Sequence, residues 1–212
     1  MKDISQEIII KQVSPDQVNL NEVVAIIHEA FGELLKQGID SPTAHISTEE
    51  LKKRNHTHYF CAYDKEKLIG FVNGKLYLNR TCYFDIAAIL PIYRRKGIGN
   101  MLFDAFEKKA FDAGVKYVFL NTMLPARTNI EWYQRRGYIR TSVKRYTTTY
   151  FSVVLKKYYT RNILLQVRSY ISYILSSLGV CVVYKNPSEY TVIGKLMYKI
   201  KNIYRYIGKI CH

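Results

Sequence analysis

Residues 82–102 read CYFDIAAILPIYRRKGIGNML. An apolar run, Cys82–Leu90, stops at Pro91, and a basic turn with glycines at 97 and 99 follows. From Ile98 onward Leu102, Phe103, Phe106, Ala110 and Phe111 fall on one helical face, and Gly114 provides a stop. Tyr117–Thr122 is the next apolar stretch. Strand, turn, helix and strand in this order predict a βαβ crossover over residues 82–122. A helix start offers N–H groups that lack intrahelical partners, together with the positive end of the helix dipole. Gly97 and Gly99 let another group approach the backbone, and Arg94, Arg95 and Lys96 add charge, so the turn suits a bound pyrophosphate. The pattern lacks the Gly-Lys-Ser/Thr of a Walker loop and the third glycine of a dinucleotide fingerprint. Alone, it leaves open the alternative of an ordinary βα turn with solvated basic residues.

Outward from this stretch the chain alternates strands and helices. Glu7–Ser14 is predicted as a strand ending before Pro15, and Val18–Lys36 has helical spacing through Val23, Ile26, Ile27, Ala30, Phe31, Leu34 and Leu35. Asp40–Thr48 is a polar loop, and a short helix opens at Thr48. Tyr59–Tyr63 and Leu68–Leu78 predict a hairpin, Asn129–Arg135 a short helix, and Ile139–Tyr146 with Tyr150–Lys157 a closing strand pair. The expected fold is α/β: a mixed, mostly antiparallel central sheet flanked by helices, with a C-terminal helical extension.

The formal net charge is +15, unevenly placed. Residues 1–150 carry 22 Lys/Arg against 16 Asp/Glu, whereas residues 151–212 carry 10 against Glu189 alone. Such an excess favours an anionic partner, whether a phosphorylated cofactor, nucleic acid or a lipid headgroup. The four cysteines, Cys61, Cys82, Cys181 and Cys211, fit no metal-ligand spacing and are expected as reduced thiols. No metal is expected. The start of the chain, with Asp3 and Glu7 beside a short apolar run, lacks the marks of a signal peptide. The expected location is the cytoplasm, with contact at the inner face of the membrane left open.

Two motifs at the right separation resemble the GNAT acetyltransferase superfamily. Ile89–Gly99 matches its hydrophobic-x-Pro-x-Tyr-Arg-x-x-Gly-x-Gly run, and Tyr133, Gly137 and Tyr138 match its later Tyr-x-x-x-Gly-Phe/Tyr signature. The resemblance covers roughly residues 7–157. It implies an N-acetyltransferase domain over residues 1–157 that uses acetyl-CoA as co-substrate. It also implies that backbone N–H groups of Arg95, Lys96, Gly97, Ile98, Gly99 and Asn100, with Arg94 alongside, hold the pyrophosphate. Ala87 and Ile89 would pair with the pantetheine arm, the Ile89 N–H would donate to the thioester oxygen, and Tyr133 would protonate the departing thiolate. The chain departs from the family in two places. Ala126 stands where many members carry an Asn, with Asn129 as a possible substitute one turn on. Asn121 stands where some carry a Glu base. Asp85 is the first candidate for that base, ahead of Glu29, Glu33 and His45, and an amine losing its proton to water needs none.

The implied acceptor is an amine, either a small polar molecule such as an amino sugar or a protein amine. Residues 38–58 and 139–157, rich in Tyr, Thr and His, are expected to shape its site. The alternative is a catalytically lapsed acyl-CoA-binding adaptor that works through its basic tail. Residues 158–212 form the predicted extension: a helix over Asn162–Leu178, a strand over Gly179–Tyr184, and a second helix after Pro187. That helix has an apolar stripe of Ile193, Leu196, Met197, Ile200, Ile203, Tyr204, Ile207 and Ile210 beside Lys195, Lys199, Lys201, Arg205 and Lys209. Such a stripe suits an anionic membrane surface, the core, a second subunit or another partner. No nucleic-acid partner is expected.

Overall fold

A computed structural model describes residues 8–38, 40–145, 151–159 and 163–183. It divides into two compact units: unit 1 is Met1–Leu120 with Tyr158–Thr160, and unit 2 is Asn121–Lys157 with Arg161–His212.

In unit 1, β1 (Ile8–Val13), β2 (His58–Asp64), β3 (Lys67–Tyr77) and β4 (Thr81–Ile89) pair antiparallel in that order. The first residues of β5 (Tyr117–Met123) then pair parallel to β4. The parallel step requires a crossover, which α3 (Ile98–Asp112) supplies. Its apolar face puts Phe103 and Phe106 against Phe84, with ring centroids 4.3 and 5.3 Å apart. Phe60 meets Phe106 at 6.1 Å. Gly74 makes this packing possible: a Cβ there would lie 2.3 Å from the Tyr83 carbonyl oxygen and 2.6 Å from the Phe106 ring. α1 (Leu20–Lys36) is capped by the Asn19 side chain and buries Val23, Val24, Ile26, Ile27 and Ala30. α2 (Thr48–Lys53) opens with a reciprocal Ser47–Glu50 capping box.

Unit 2 contains α4 (Arg127–Arg135), the antiparallel pair β6 (Ile139–Arg145) and β7 (Phe151–Tyr158), and α5 (Ile163–Val183), which packs on β6. The mixed, mostly antiparallel arrangement with flanking helices is the one expected from the sequence. One element differs. The predicted strand over Gly179–Tyr184 is instead the continuation of α5 through Val183. A short apolar run carries no periodicity that separates strand from buried helix, and extending an established helix outweighs the roughly 1 kcal/mol cost of one glycine. The second predicted C-terminal helix lies outside the described residues.

Candidate active site

The decisive local feature is an extra residue in β4. Gly74 pairs with Phe84 and Val72 with Ala87, so two steps along β3 face three along β4, and the surplus forms a β-bulge at Asp85–Ile86. Pairing with β5 ends at the same place: the parallel ladder runs from Thr81–Tyr117 to Phe84–Leu120. Beyond the bulge, the Leu90 N–H donates to the Ile69 carbonyl at 2.9 Å. This makes Gly70–Ile89 a non-hydrogen-bonded pair, so the main-chain groups of Ile89 point away from β3, and by alternation so do those of Ala87. Ala87 and Ile89 therefore present backbone groups along the edge that β5 leaves at Phe84.

A buried polar network fixes the bulge. The Ile86 N–H donates to Asn73 Oδ1 at 3.0 Å, which turns the Asn73 amide nitrogen toward His56 Nδ1 at 3.4 Å. Tyr59 Oη lies 3.1 Å from the same nitrogen. With Nδ1 accepting, the His56 proton sits on Nε2 and is donated to Asp85 Oδ2 at 2.6 Å. Arg54 donates to the same oxygen at 2.9 Å. Burial alone would raise the Asp85 carboxyl, but the His56 hydrogen bond and the Arg54 guanidinium outweigh it and hold the group below the usual carboxylate range. Burial pushes the Tyr59 phenol up to about 12. Asp85 is thus an ionised structural anchor with weakened basicity.

β4 leads through a 3-10 turn, Pro91–Tyr93, into the basic turn. Arg95 and Gly97 both have positive φ, at 62° and 80°. The first main-chain bond of α3 is Met101 N–H to the Gly97 carbonyl at 3.1 Å, so the amides of Ile98 and Gly99 precede the ladder. A Cβ on Gly97 would meet nothing within 4 Å, so the space above this helix start is open. The Arg94 side chain is directed elsewhere. It donates to the Ile89 carbonyl at 3.2 Å, to the Ala30 carbonyl at 2.8 Å and to the Glu33 carboxylate. Arg94 therefore straps the turn to α1, while Arg95 and Lys96 are exposed. The Lys96 ammonium lies 5.1 Å from the centre of the Tyr93 ring, whose hydroxyl donates to Asp64 at 2.7 Å.

In unit 2, Tyr133 is half-buried near the end of α4. Its ring meets Trp132 at 5.2 Å and Tyr138 at 5.8 Å. Gly137 (φ 88°) supplies the left-handed residue that ends the helix, after which the Tyr138 N–H returns to the Tyr133 carbonyl at 3.1 Å. Burial raises the Tyr133 phenol above its ordinary value, so it stays protonated at neutral pH. Asn129 is exposed in the first turn of α4, and Ala126 is the buried residue before it. An open groove of about 670 Å³ is lined by Leu124, Pro125, Arg127, Ile130, Glu131, Arg140 and Phe151.

Several residues of this network escape sequence reasoning. Arg54, His56 and Asn73 converge from a loop and a neighbouring strand, and no spacing rule links them to Asp85. The other base candidates are engaged or remote: Glu33 holds Arg94, and His45 pairs with Asp40 at 2.8 Å on the surface. Among the described residues there is no His/Cys/Asp/Glu group that could hold a metal ion.

Residues 22–138, more than half of the chain, match the model of the Acetyltransferase (GNAT) family. The chain belongs to the GNAT family. Membership makes it an N-acetyltransferase by family. Solved structures with the GNAT fold resemble it at low identity. The ribosomal-protein-S18-alanine N-acetyltransferase from Escherichia coli is 16% identical with a TM-score of 0.60, over 73% of this chain and 96% of that one. The PaiA N-acetyltransferase from Thermoplasma acidophilum, solved in complex with coenzyme A, is 20% identical with a TM-score of 0.57, over 72% and 99%. Ard1 from Thermoplasma volcanium is 14% identical with a TM-score of 0.58, over 72% and 99%. No curated protein matches the chain.

Proposed function

We propose that this GNAT chain transfers the acetyl group of acetyl-CoA directly to an amine. The observation that carries the reading is a pair of outward backbone groups, at Ala87 and Ile89 on the bulged strand, followed by the open helix start at Gly97. This row fits a pantetheine arm followed by a pyrophosphate. Arg95, Lys96, Gly97, Ile98, Gly99 and Asn100 would cradle the phosphates, and Ala87 would pair with the arm. The thioester supplies an activated acetyl group; the remaining work falls to the chain. The Ile89 N–H is set to donate to the thioester oxygen as charge grows there. Tyr133 keeps its proton at working pH and gives it to the departing thiolate. Asp85 acts through the bulge, as a positioning residue, and the attacking amine releases its proton to water. Asn129 is proposed to take the place of the missing Asn beside the arm.

The acceptor class is a small polar amine, an amino sugar among them, or a protein amine; the protein acceptor in the name of the Escherichia coli protein supports including the latter. Thiol release from acetyl-CoA, measured against amino sugars, polyamines and peptides with free N-termini, tests the reading. Turnover with one class and not the others assigns the acceptor. Engagement of Asp85 by Arg54 and His56 favours one competing reading, an acyl-CoA-binding adaptor without turnover. It predicts calorimetric binding of CoA with no thiol release on any amine.

A further inference from the structure

The last described helix leaves an apolar stripe uncovered. An ordinary surface helix buries its apolar stripe and shows polar residues to water. Among the described side chains of α5, three on the side facing β6 are polar. Ser169 is buried, Tyr173 Oη accepts from Arg140 at 3.1 Å, and Ser176 Oγ accepts from the Val143 N–H at 2.8 Å. The opposite side is a stripe at helical spacing, with Leu164 80%, Val167 50%, Ile171 39% and Ile174 40% exposed. Beside it stands Arg168, whose charge acts, with that of Lys144, on the half-buried Lys156.

The charge of the whole unit has the same sign. Unit 2 carries 16 Lys/Arg against Glu131 and Glu189, and no acidic residue lies between those two positions. Whatever covers the stripe must accept apolar side chains beside Arg168, on a unit whose sequence charge is strongly positive. A second copy would set one such unit against another and be repelled. RNA would answer the charge and offer no apolar phase to Leu164 or Ile171. The chain's own residues 184–212 carry six Lys/Arg and one Glu, so docking them would add cations beside Arg168. An anionic bilayer surface meets both needs.

We propose that the outward face of α5, with the basic surface around Arg168, docks on an anionic lipid surface. No described helix is long and apolar enough to cross a membrane. The inference concerns unit 2 alone and is independent of the acetyl-transfer reading.

Flotation of the full chain with vesicles tests it. Binding is expected to equal mixtures of phosphatidylglycerol and phosphatidylcholine, and not to phosphatidylcholine alone. The double variant Val167→Asp/Ile171→Asp should bind at least about tenfold more weakly, and Arg168→Glu should weaken binding several-fold. Both changes sit on exposed positions, and circular dichroism with calorimetry of CoA binding reports whether the fold is intact. A folded double variant that still floats overturns the proposal, as does wild-type chain that ignores the mixed vesicles or binds both kinds equally. A dimer in sedimentation that the double variant dissociates overturns it in favour of a second copy. In a chain with Cys181→Ser and Cys211→Ser, a polarity-sensitive dye on Leu164→Cys should shift only when mixed vesicles are added. A dye already shielded in vesicle-free monomer overturns it in favour of the C-terminal segment, and binding to polyuridine in preference to vesicles overturns it in favour of RNA.

Discussion

The two units differ in electrostatic character more than in any other property. Unit 1 carries 16 Lys/Arg against 15 Asp/Glu, and unit 2 carries 16 against 2. In unit 1 cations are set against carboxylates, as in Arg94–Glu33, Arg54–Asp85 and Lys108–Asp112. The anion site proposed for it is therefore local, made of backbone amides at a helix start and two exposed side chains. In unit 2 the attraction is diffuse, a property of the whole surface. A local site grips one geometry; a diffuse one accepts any surface of opposite sign. The difference separates a candidate catalytic cradle from a docking face.

The strongest way to break this comparison is to place charge in the local site. Gly97→Glu puts a carboxylate at the helix start and forces a side chain onto a φ of 80°. Calorimetry should show acetyl-CoA affinity lower by about 100-fold, or close to 3 kcal/mol, with vesicle binding unchanged. Unchanged affinity would remove the cradle.

Next in size is the network beneath the bulge. Asp85→Asn should cost about 2 kcal/mol of unfolding free energy, because it leaves Arg54 and His56 facing a neutral amide. The folded carboxyl titrates below its unfolded value, so this stabilisation is complete above the ordinary range near 4 and disappears as pH falls through the folded value. Urea titrations should show the full difference at pH 7 and a shrinking one in acid; a constant difference would assign it to packing.

Tyr133→Phe should lower kcat by about tenfold while acetyl-CoA affinity holds, as expected when one proton donor is lost. An equal fall in both would make Tyr133 a packing residue only. Salt sharpens the contrast further. Vesicle binding by unit 2 should fall steeply as ionic strength rises, whereas acetyl-CoA affinity should change only a few-fold, since the amides of the cradle are fixed dipoles. The smallest expected effect is no reaction at all. Burial pushes the Cys61 thiol up to about 11 and the Cys82 thiol up to about 12, so both should stay unlabelled by iodoacetamide at pH 8 until the chain unfolds.

Much of the fold was legible because the apolar periods were long and well punctuated: α3 between Gly97 and Gly114, β4 ending at Pro91, and α4 ending at Gly137. The positions of the donors were legible only through the family motif. What the sequence concealed has three physical causes. One is convergence: His56, Asn73 and Arg54 meet Asp85 across distances in the chain that no local pattern encodes. The other is a residue whose chemistry suggests one partner while its geometry selects another. Arg94 looks like a phosphate ligand beside Arg95, yet its guanidinium fork is taken by the Ile89 and Ala30 carbonyls and Glu33. The outward stripe of α5 belongs to a third kind, since periodicity reports that a stripe exists and not which way it faces.

The surplus residue in β4 has a consequence for how such a strand can change. Side chains and peptide groups alternate along a strand with a period of two, so the row of outward amides at Ala87 and Ile89 is defined by parity. Exchanging the side chain at Ile86 leaves the surplus in place, whereas removing one residue between Phe84 and Ala87 leaves two steps facing two: Ala87 still stands opposite Val72 with its amide turned from β3, but the bulge that interrupts the strand is gone. The break in the ladder is held in a count of residues rather than in the identity of any one of them, which leaves the strand tolerant of substitution and sensitive to a change in length.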